Sequence, residues 1–376
     1  MDLPYFALGG KKMRKRMREY GITLGLLPTG PLNAITDVEG VTVGHVTLIS
    51  GEGKLIPGKG PVRTGVTAIV PHSGNIFKEK LIASCYVGNG FGKSIGLIQV
   101  KELGTLETPI ILTNTLSVGT AADGLIEYML SFNEDIGIAT GTVNPVVLEC
   151  NDGYLNDIRG RHVRKEHVIA AIKGAKNEFE TGSVGAGTGM ICHGFKGGIG
   201  TASRRIEIGG KAYTVGVLLL TNYGRMEDLI FNGKNVGKML KEEIKKGKEA
   251  AKEDQGSCII VIATDAPMDA HGLERVAKRG VLGLAKTGSF MGNGSGDIAI
   301  AFSTANKICH YGEPVMEIKT ISPHSGDINK VFQAVVEAVE EAVWDSMFTA
   351  ERIVGRDYHE APLLPVEKLA EMIRQD

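Results

Sequence analysis

What the chain lacks narrows it first. It has almost no net charge: 42 basic against 43 acidic residues leave −1. That argues against nucleic acid or an anionic membrane surface as a partner. No window holds the roughly 18 uninterrupted apolar residues of a membrane span. No apolar h-region with a cleavage site is visible near the start, so a signal peptide is not expected. The five cysteines (Cys85, Cys150, Cys192, Cys258 and Cys309) are odd in number, far apart and set among apolar residues, with no CxxC. This excludes a disulfide framework and fits buried thiols in a reducing, cytoplasmic compartment. The nine histidines are equally scattered, with no HExxH or HxH pair, so neither a metal nor any other cofactor is expected.

Glycine is what the chain has in excess. It supplies 51 of 376 residues, about twice average usage. There is no collagen-like period, 43% of residues are hydrophobic, and the glycines sit singly among Val, Ile, Thr and Ala. Tight turns and close backbone contacts in a globular protein remain as the explanation.

Runs rich in Val, Ile and Thr predict strands near 41–48, 66–70, 109–113, 213–221, 258–264, 297–303 and 315–321. Amphipathic spacing predicts helices near 119–132, 164–177, 235–253, 271–286, 328–352 and 365–374. In the 328–352 helix, Val331, Val335, Val339 and Val343 recur every four residues. They form an apolar stripe opposite a Glu-rich face, read as core packing. Strands and helices intermix, so the class is α/β or α+β. The cluster Lys11-Lys12-Met13-Arg14-Lys15-Arg16 reads as a solvated N-terminal helix rather than an anion site. At 241–255 the chain is almost wholly polar, and after Gly256-Ser257 it turns abruptly into the apolar run Cys-Ile-Ile-Val-Ile-Ala. A solvated helix end leading into a buried strand explains the change. A processed boundary with Ser257 as a new N-terminus explains it too.

Several motifs carry chemistry. Gly185-Ala186-Gly187-Thr188-Gly189 invites a dinucleotide reading, but Met190 and further glycines follow where a helix should start; packed backbone suits it better. Gly294-Ser295-Gly296-Asp297 precedes a strand rather than a helix, which disfavours a nucleophile elbow. It is read either as a turn or as a Ser and a carboxylate acting on one reacting group. Glu149 ends an apolar run, where a carboxylate needs a partner: a buried Arg, or the cation of a substrate. Asn222 directly follows a strand and is either a turn residue or an amide donor for an oxyanion.

Taken together and in order, these blocks resemble the self-processing aminopeptidase family of L-aminopeptidase/D-esterase and the β-peptidyl aminopeptidases. The resemblance spans nearly the whole chain. It includes Gly30-Pro31-Leu32-Asn33-Ala34-Ile35-Thr36-Asp37, Val43-Gly44-His45, Thr113-Asn114-Thr115-Leu116-Ser117, Asn151-Asp152-Gly153-Tyr154-Leu155-Asn156-Asp157, Ala263-Thr264-Asp265-Ala266-Pro267 and Ser295-Gly296-Asp297. It implies an αββα sandwich of four layers, similar to N-terminal-nucleophile hydrolases but with its own connectivity. It implies a single domain that cuts itself between Gly256 and Ser257, giving fragments 1–256 and 257–376. Ser257 becomes the nucleophile. Ser295 and Asp297 match the supporting pair, although some relatives carry the longer Glu at 297. Asn222 matches the oxyanion-hole amide, and Glu149 the carboxylate that receives the substrate's amino group. Tyr154 is the candidate for a substrate-binding Tyr that assists the oxyanion. The implied substrates are peptides or amino-acid amides and esters with a free amino terminus. The implied assembly is a homo-oligomer of processed heterodimers.

The chemistry stands without the name. A Ser hydroxyl needs a base, and the α-amine of an N-terminal Ser, with a pKa of about 7.7–8.0, lies in the same residue. Two other readings remain at this point: a non-peptidase α/β protein holding a nucleotide on 185–189, and a self-processing acyltransferase, which would cut before Thr rather than Ser.

Overall fold

The computed structural model describes residues 14–244 and 256–374. The Val/Ile/Thr runs form two sheets packed face to face. The first has the order β1 (Thr42–Ser50), β2 (Val62–Val70), β5 (Ile110–Asn114), β6 (Val146–Cys150). Its first two pairings are antiparallel and β5–β6 is parallel. The second has the order β4 (Thr105–Leu106), β3 (Glu79–Gly90), β14 (Gly296–Cys309), β13 (Ser257–Thr264), β10 (Lys211–Asn222), β9 (Ile199–Ile208). Two short ribbons, β7 (Ile191–Cys192) with β8 (Phe195–Lys196) and β11 (Ile230–Phe231) with β12 (Lys234–Asn235), lie beside them.

Helices α2 (Val118–Leu130) and α3 (Lys165–Lys173) cover the outside of the first sheet. Helices α5 (Ala270–Lys286) and α6 (Ile328–Phe348) cover the outside of the second. The layers therefore run α, β, β, α, as the resemblance implied. Helices α1 (Leu97–Leu103), α4 (Val236–Ile244) and α7 (Val366–Arg374) complete the set described. None of the described helices is long and apolar enough to cross a membrane.

Strand β13 is buried at every position, because it is central and covered on both faces. Ile259, Val261 and Ala263 enter the core between the sheets, whereas Cys258, Ile260 and Ile262 enter the core under α5 and α6. Its parallel neighbour β14 is reached through α5, the crossover that parallel strands require.

Two expectations change, and a third lies partly outside the described residues. Residues 315–321 form no strand. Residues 315–320 run exposed and Ile321 enters the core, and the Asn306 side chain brackets the Lys319 backbone, donating to its carbonyl and accepting from its N–H, both at 2.9 Å. One side-chain amide thus takes the bonds a strand neighbour would have taken. The 235–253 helix is observed to Ile244, and the rest lies outside the described residues. Strands β3 and β9 appear where no strand was predicted.

The basic cluster also differs from its reading. Lys11, Lys12 and Met13 lie outside the described residues, but Arg14 and Arg16 are not solvated. Arg14 donates to the Ala350 and Leu364 carbonyls, and Arg16 pairs with Asp345 at 2.7 Å. Arg18 pairs with Glu341 at 2.6 Å. The fully buried Arg204 of β9 reaches Glu337 at 3.1 Å and Glu341 at 2.7 Å. The Glu-rich face of α6 is therefore buried too, and these arginines neutralise it.

Candidate active site

Three strand ends of the second sheet meet at one level. β10 ends at Asn222 and β13 begins at Ser257, its antiparallel partner. β14 begins at Gly296, the parallel partner of Ser257 on the other side. Sheet register alone thus brings together three segments that lie far apart in sequence.

Ser257 is buried, and its Oγ donates to the preceding Gly256 carbonyl at 2.8 Å. The same oxygen accepts the Gly296 N–H at 3.3 Å. From the facing sheet, the Cys150 thiol donates to the Ser257 carbonyl at 3.3 Å and the Leu220 carbonyl at 3.5 Å. Burial first, and then nearby carboxylates, push this thiol well above its ordinary pKa, so it is a neutral donor. Gly256 has no room for a side chain: a Cβ would sit 2.2 Å from the Asn222 carbonyl oxygen and 2.4 Å from Tyr223 Cα.

The Asn222 amide is held at both ends. Its Oδ1 accepts the Ile191 N–H and its Nδ2 donates to the Asn151 carbonyl, both at 3.0 Å. An amide NH₂ carries two hydrogens, so one remains for a ligand.

Ser295 lies one residue before Gly296. Its Oγ is buried and has no hydrogen-bond partner among the described residues. Asn89 donates to the Gly292, Asn293 and Ser295 carbonyls and so shapes the turn that presents this hydroxyl. Asp297 is fully buried opposite Cys258. After burial itself, its charge is among the causes that raise the Cys258 thiol and the Tyr223 phenol, which places the carboxylate among these groups in the floor of the site.

Glu149 is buried in β6. The Lys93 N–H donates to its Oε1 at 2.9 Å, and the Thr115 hydroxyl donates to its Oε2. No cation pairs with it among the described residues, so the buried-Arg alternative is not what the structure contains. A Cβ on Gly92 would stand 3.9 Å from Glu149 Oε1 and 3.8 Å from Gly296 Cα, which puts the carboxylate close to the strand end that pairs with Ser257. Tyr154 lies apart. Its ring is half-exposed and stacks on His359 at 4.5 Å.

The 185–189 glycine run is a buried turn. A Cβ on Gly187 would meet the Gly182 carbonyl oxygen and the Ile199 nitrogen at 2.6 Å each. The turn leads into a strand ribbon, not a helix, so it is a packing element. Among the described residues, no three His, Cys, Asp or Glu side chains gather as a metal site would require.

Some participants carry no sequence signal. The Lys93 and Ile191 contributions are backbone N–H groups, which any residue supplies. Thr115 stands in one of the quoted blocks, but nothing local ties it to Glu149.

A profile of peptidase family S58 matches residues 33–361. The chain belongs to peptidase family S58. It is 40% identical over 372 residues to a β-peptidyl aminopeptidase of Sphingosinicella microcystinivorans, covering 96% of this chain and 92% of that one. It is similar to a solved structure of a Pyrococcus horikoshii protein, with a TM-score of 0.91 and 58% identity over 96% of this chain and 99% of that one. It is also similar to the L-aminopeptidase D-Ala-esterase/amidase of Ochrobactrum anthropi, described as a prototype serine aminopeptidase with a variant of the Ntn-hydrolase fold. There the TM-score is 0.87, with 36% identity over 96% of this chain and 98% of that one. This S58 member is therefore a hydrolase of aminopeptidase type on an Ntn-hydrolase fold.

Proposed function

We propose that the chain, folding as one domain, cuts itself between Gly256 and Ser257, and that Ser257 then serves as the nucleophile of an aminopeptidase acting through an acyl-enzyme. Its substrates are peptides, amides or esters with a free amino terminus, the class to which the β-peptidyl aminopeptidase and the amidase relatives point. The observation that carries the reading is the shared register of Asn222, Ser257 and Gly296, with Ser257 Oγ 2.8 Å from the Gly256 carbonyl oxygen.

In self-cleavage, Ser257 Oγ attacks the Gly256 carbonyl carbon. The Oγ–C bond forms, the C–N bond breaks, and the hydroxyl proton passes to the departing nitrogen. Gly296 N–H already touches the oxygen that becomes negative. Ser295 and Asp297 assist the proton transfer. Water then hydrolyses the ester, releasing the Gly256 carboxylate and restoring the Ser257 hydroxyl beside the α-amine freed in the shift. In turnover that amine takes the Oγ proton. The remaining Nδ2–H of Asn222 stabilises the oxyanion, a contribution commonly worth about 3–4 kcal/mol. Glu149 receives the substrate ammonium, which confines cleavage to free N-termini. Tyr154, its half-exposed ring stacked on His359, is the candidate substrate-binding residue besides Glu149.

The same reading extends to assembly and location. The assembly proposed is a homo-oligomer of processed heterodimers. The cysteines are unpaired, which suits a cytoplasmic protein. Intact mass spectrometry tests the core of the proposal: the expected species are 1–256 and 257–376. Ser257→Ala should remain one chain without amidase activity. An active enzyme made of uncut chains, or an active Ser257→Ala variant, would overturn it.

A further inference from the structure

Lys196 is fully buried, and no carboxylate pairs with it among the described residues. Its Nζ instead donates to three main-chain carbonyls: Gly187 at 3.1 Å, Met190 at 2.9 Å and Gly197 at 2.7 Å. Three acceptors match the three N–H bonds of an ammonium group. Burying an ammonium without a counter-ion is costly, and here burial draws the pKa down to about 7. A group kept at that cost next to the site calls for an explanation.

The carbonyls it gathers lie at the base of one hairpin, formed by β7 and β8 and flanked by Gly187 and Gly198. Met190 C=O also accepts the Gly197 N–H at 3.1 Å, so Nζ closes the open end of the ribbon. This hairpin is docked on the last residues of β10. His193 N–H reaches the Tyr223 carbonyl at 2.6 Å, and Thr221 N–H reaches the Gly198 carbonyl at 3.0 Å. Between these two contacts, Ile191 N–H meets Asn222 Oδ1. That bond and the donation of Nδ2 to the Asn151 carbonyl together set which end of the Asn222 amide is oxygen, since only oxygen accepts.

We propose that Lys196 is a positioning residue for the reaction: its ammonium holds the base of the 187–198 hairpin so that Ile191 N–H fixes the flip of the Asn222 amide and keeps one Nδ2–H directed to the oxyanion. The proposal rests on the reading of Asn222 as the oxyanion donor. Lys196 itself touches neither substrate nor nucleophile. Its effect passes through two hydrogen-bonded steps, and a misplacement of the donor by about 1 Å suffices to cost up to roughly 100-fold in rate.

The test compares wild type, Lys196→Met, Asn222→Ala and the double variant. Each is the full chain, checked for processing on a denaturing gel and for fold by circular dichroism. The assay measures kcat and KM on an amino-acid p-nitroanilide with a free amino group. Lys196→Met should lower kcat roughly 10- to 100-fold with KM held within about twofold. In the Asn222→Ala background the same change should cost less than about twofold, because the donor it positions is gone. A folded, processed Lys196→Met enzyme with wild-type kcat overturns the proposal. So does a full loss repeated in the Asn222→Ala background. Wild-type kcat in Asn222→Ala alone marks a different failure, that of the oxyanion reading, and removes both. Where Lys196→Met does not fold or process, Ile191→Pro decides, with Ile191→Ala as the control for the lost side chain, since proline removes the N–H that Asn222 Oδ1 accepts and alanine keeps it. Reduced kcat at unchanged KM supports the proposal, and unchanged kcat overturns it.

Discussion

Single atoms at the site have consequences that can be measured. Gly256 is wedged against the Asn222 carbonyl and Tyr223, so Gly256→Ala should displace the scissile carbonyl from Ser257 Oγ. Self-cleavage should slow by roughly tenfold or more, read as a time course on denaturing gels; cleavage at the wild-type rate would refute the close approach. Asp152 offers a test by pH. Burial first, with the Glu149 charge adding to it, raises its carboxyl from 3.8 to about 7 despite hydrogen bonds from Thr64 and Asn156. A folded pKa above the unfolded one means that the folded state binds more protons between those values. Its contribution is therefore complete below about pH 4 and is lost as pH rises through 7. Wild type should lose stability relative to Asp152→Asn across that window and no further above it. Melting temperatures of both proteins at pH 4, 5.5, 7 and 8.5 give the comparison, and a constant difference would contradict the assignment.

At the scale of elements, what could be read in the chain depended on whether the deciding partner was local. Strand β13 was legible because its apolar run and the polar stretch before it are contiguous. Helix α6 was legible from its valine spacing, yet its Glu face could not be placed. The counter-charges Arg16, Arg18 and Arg204 come from segments more than 130 residues away. Strand β9 escaped notice because Arg204 and its polar neighbours break the apolar pattern, and the pattern makes sense only with Glu337 and Glu341 in view. Residues 315–321 have the Val, Ile and Thr content of a strand, but their contact with β14 runs through the Asn306 side chain rather than a backbone ladder. Among the site residues, Ser257, Ser295, Asp297 and Asn222 could be named from ordered motifs, while their juxtaposition is a matter of sheet register. Arg204→Met tests the ion network. It leaves Glu337 and part of Glu341 buried without their cation, which should cost about 3–5 kcal/mol. Denaturant unfolding in the Ser257→Ala background, where the chain stays whole, measures this; a loss below about 1 kcal/mol would show that the network relaxes.

At the scale of the molecule, the proposed cut falls at the head of a central sheet strand. Residues on either side of it remain joined through the β10–β13 ladder and through the pairs Arg16–Asp345, Arg18–Glu341 and Arg204–Glu337. The processed protein should therefore elute as one species containing both fragments and resolve into two only in denaturant; separation in plain buffer would contradict the fold's account of how they adhere.

The position of Ser257 at the head of a central strand has one more effect. Before cleavage, folding is an event within one chain, with every strand tethered to its neighbours. After the proposed cleavage, a molecule that opens would have to bring two pieces back together from solution, and recovery would depend on concentration. The working lifetime of the cut form would then be set by how seldom it opens rather than by its equilibrium stability, making the enzyme a product of its folding history that dilution and heat can erase but not restore.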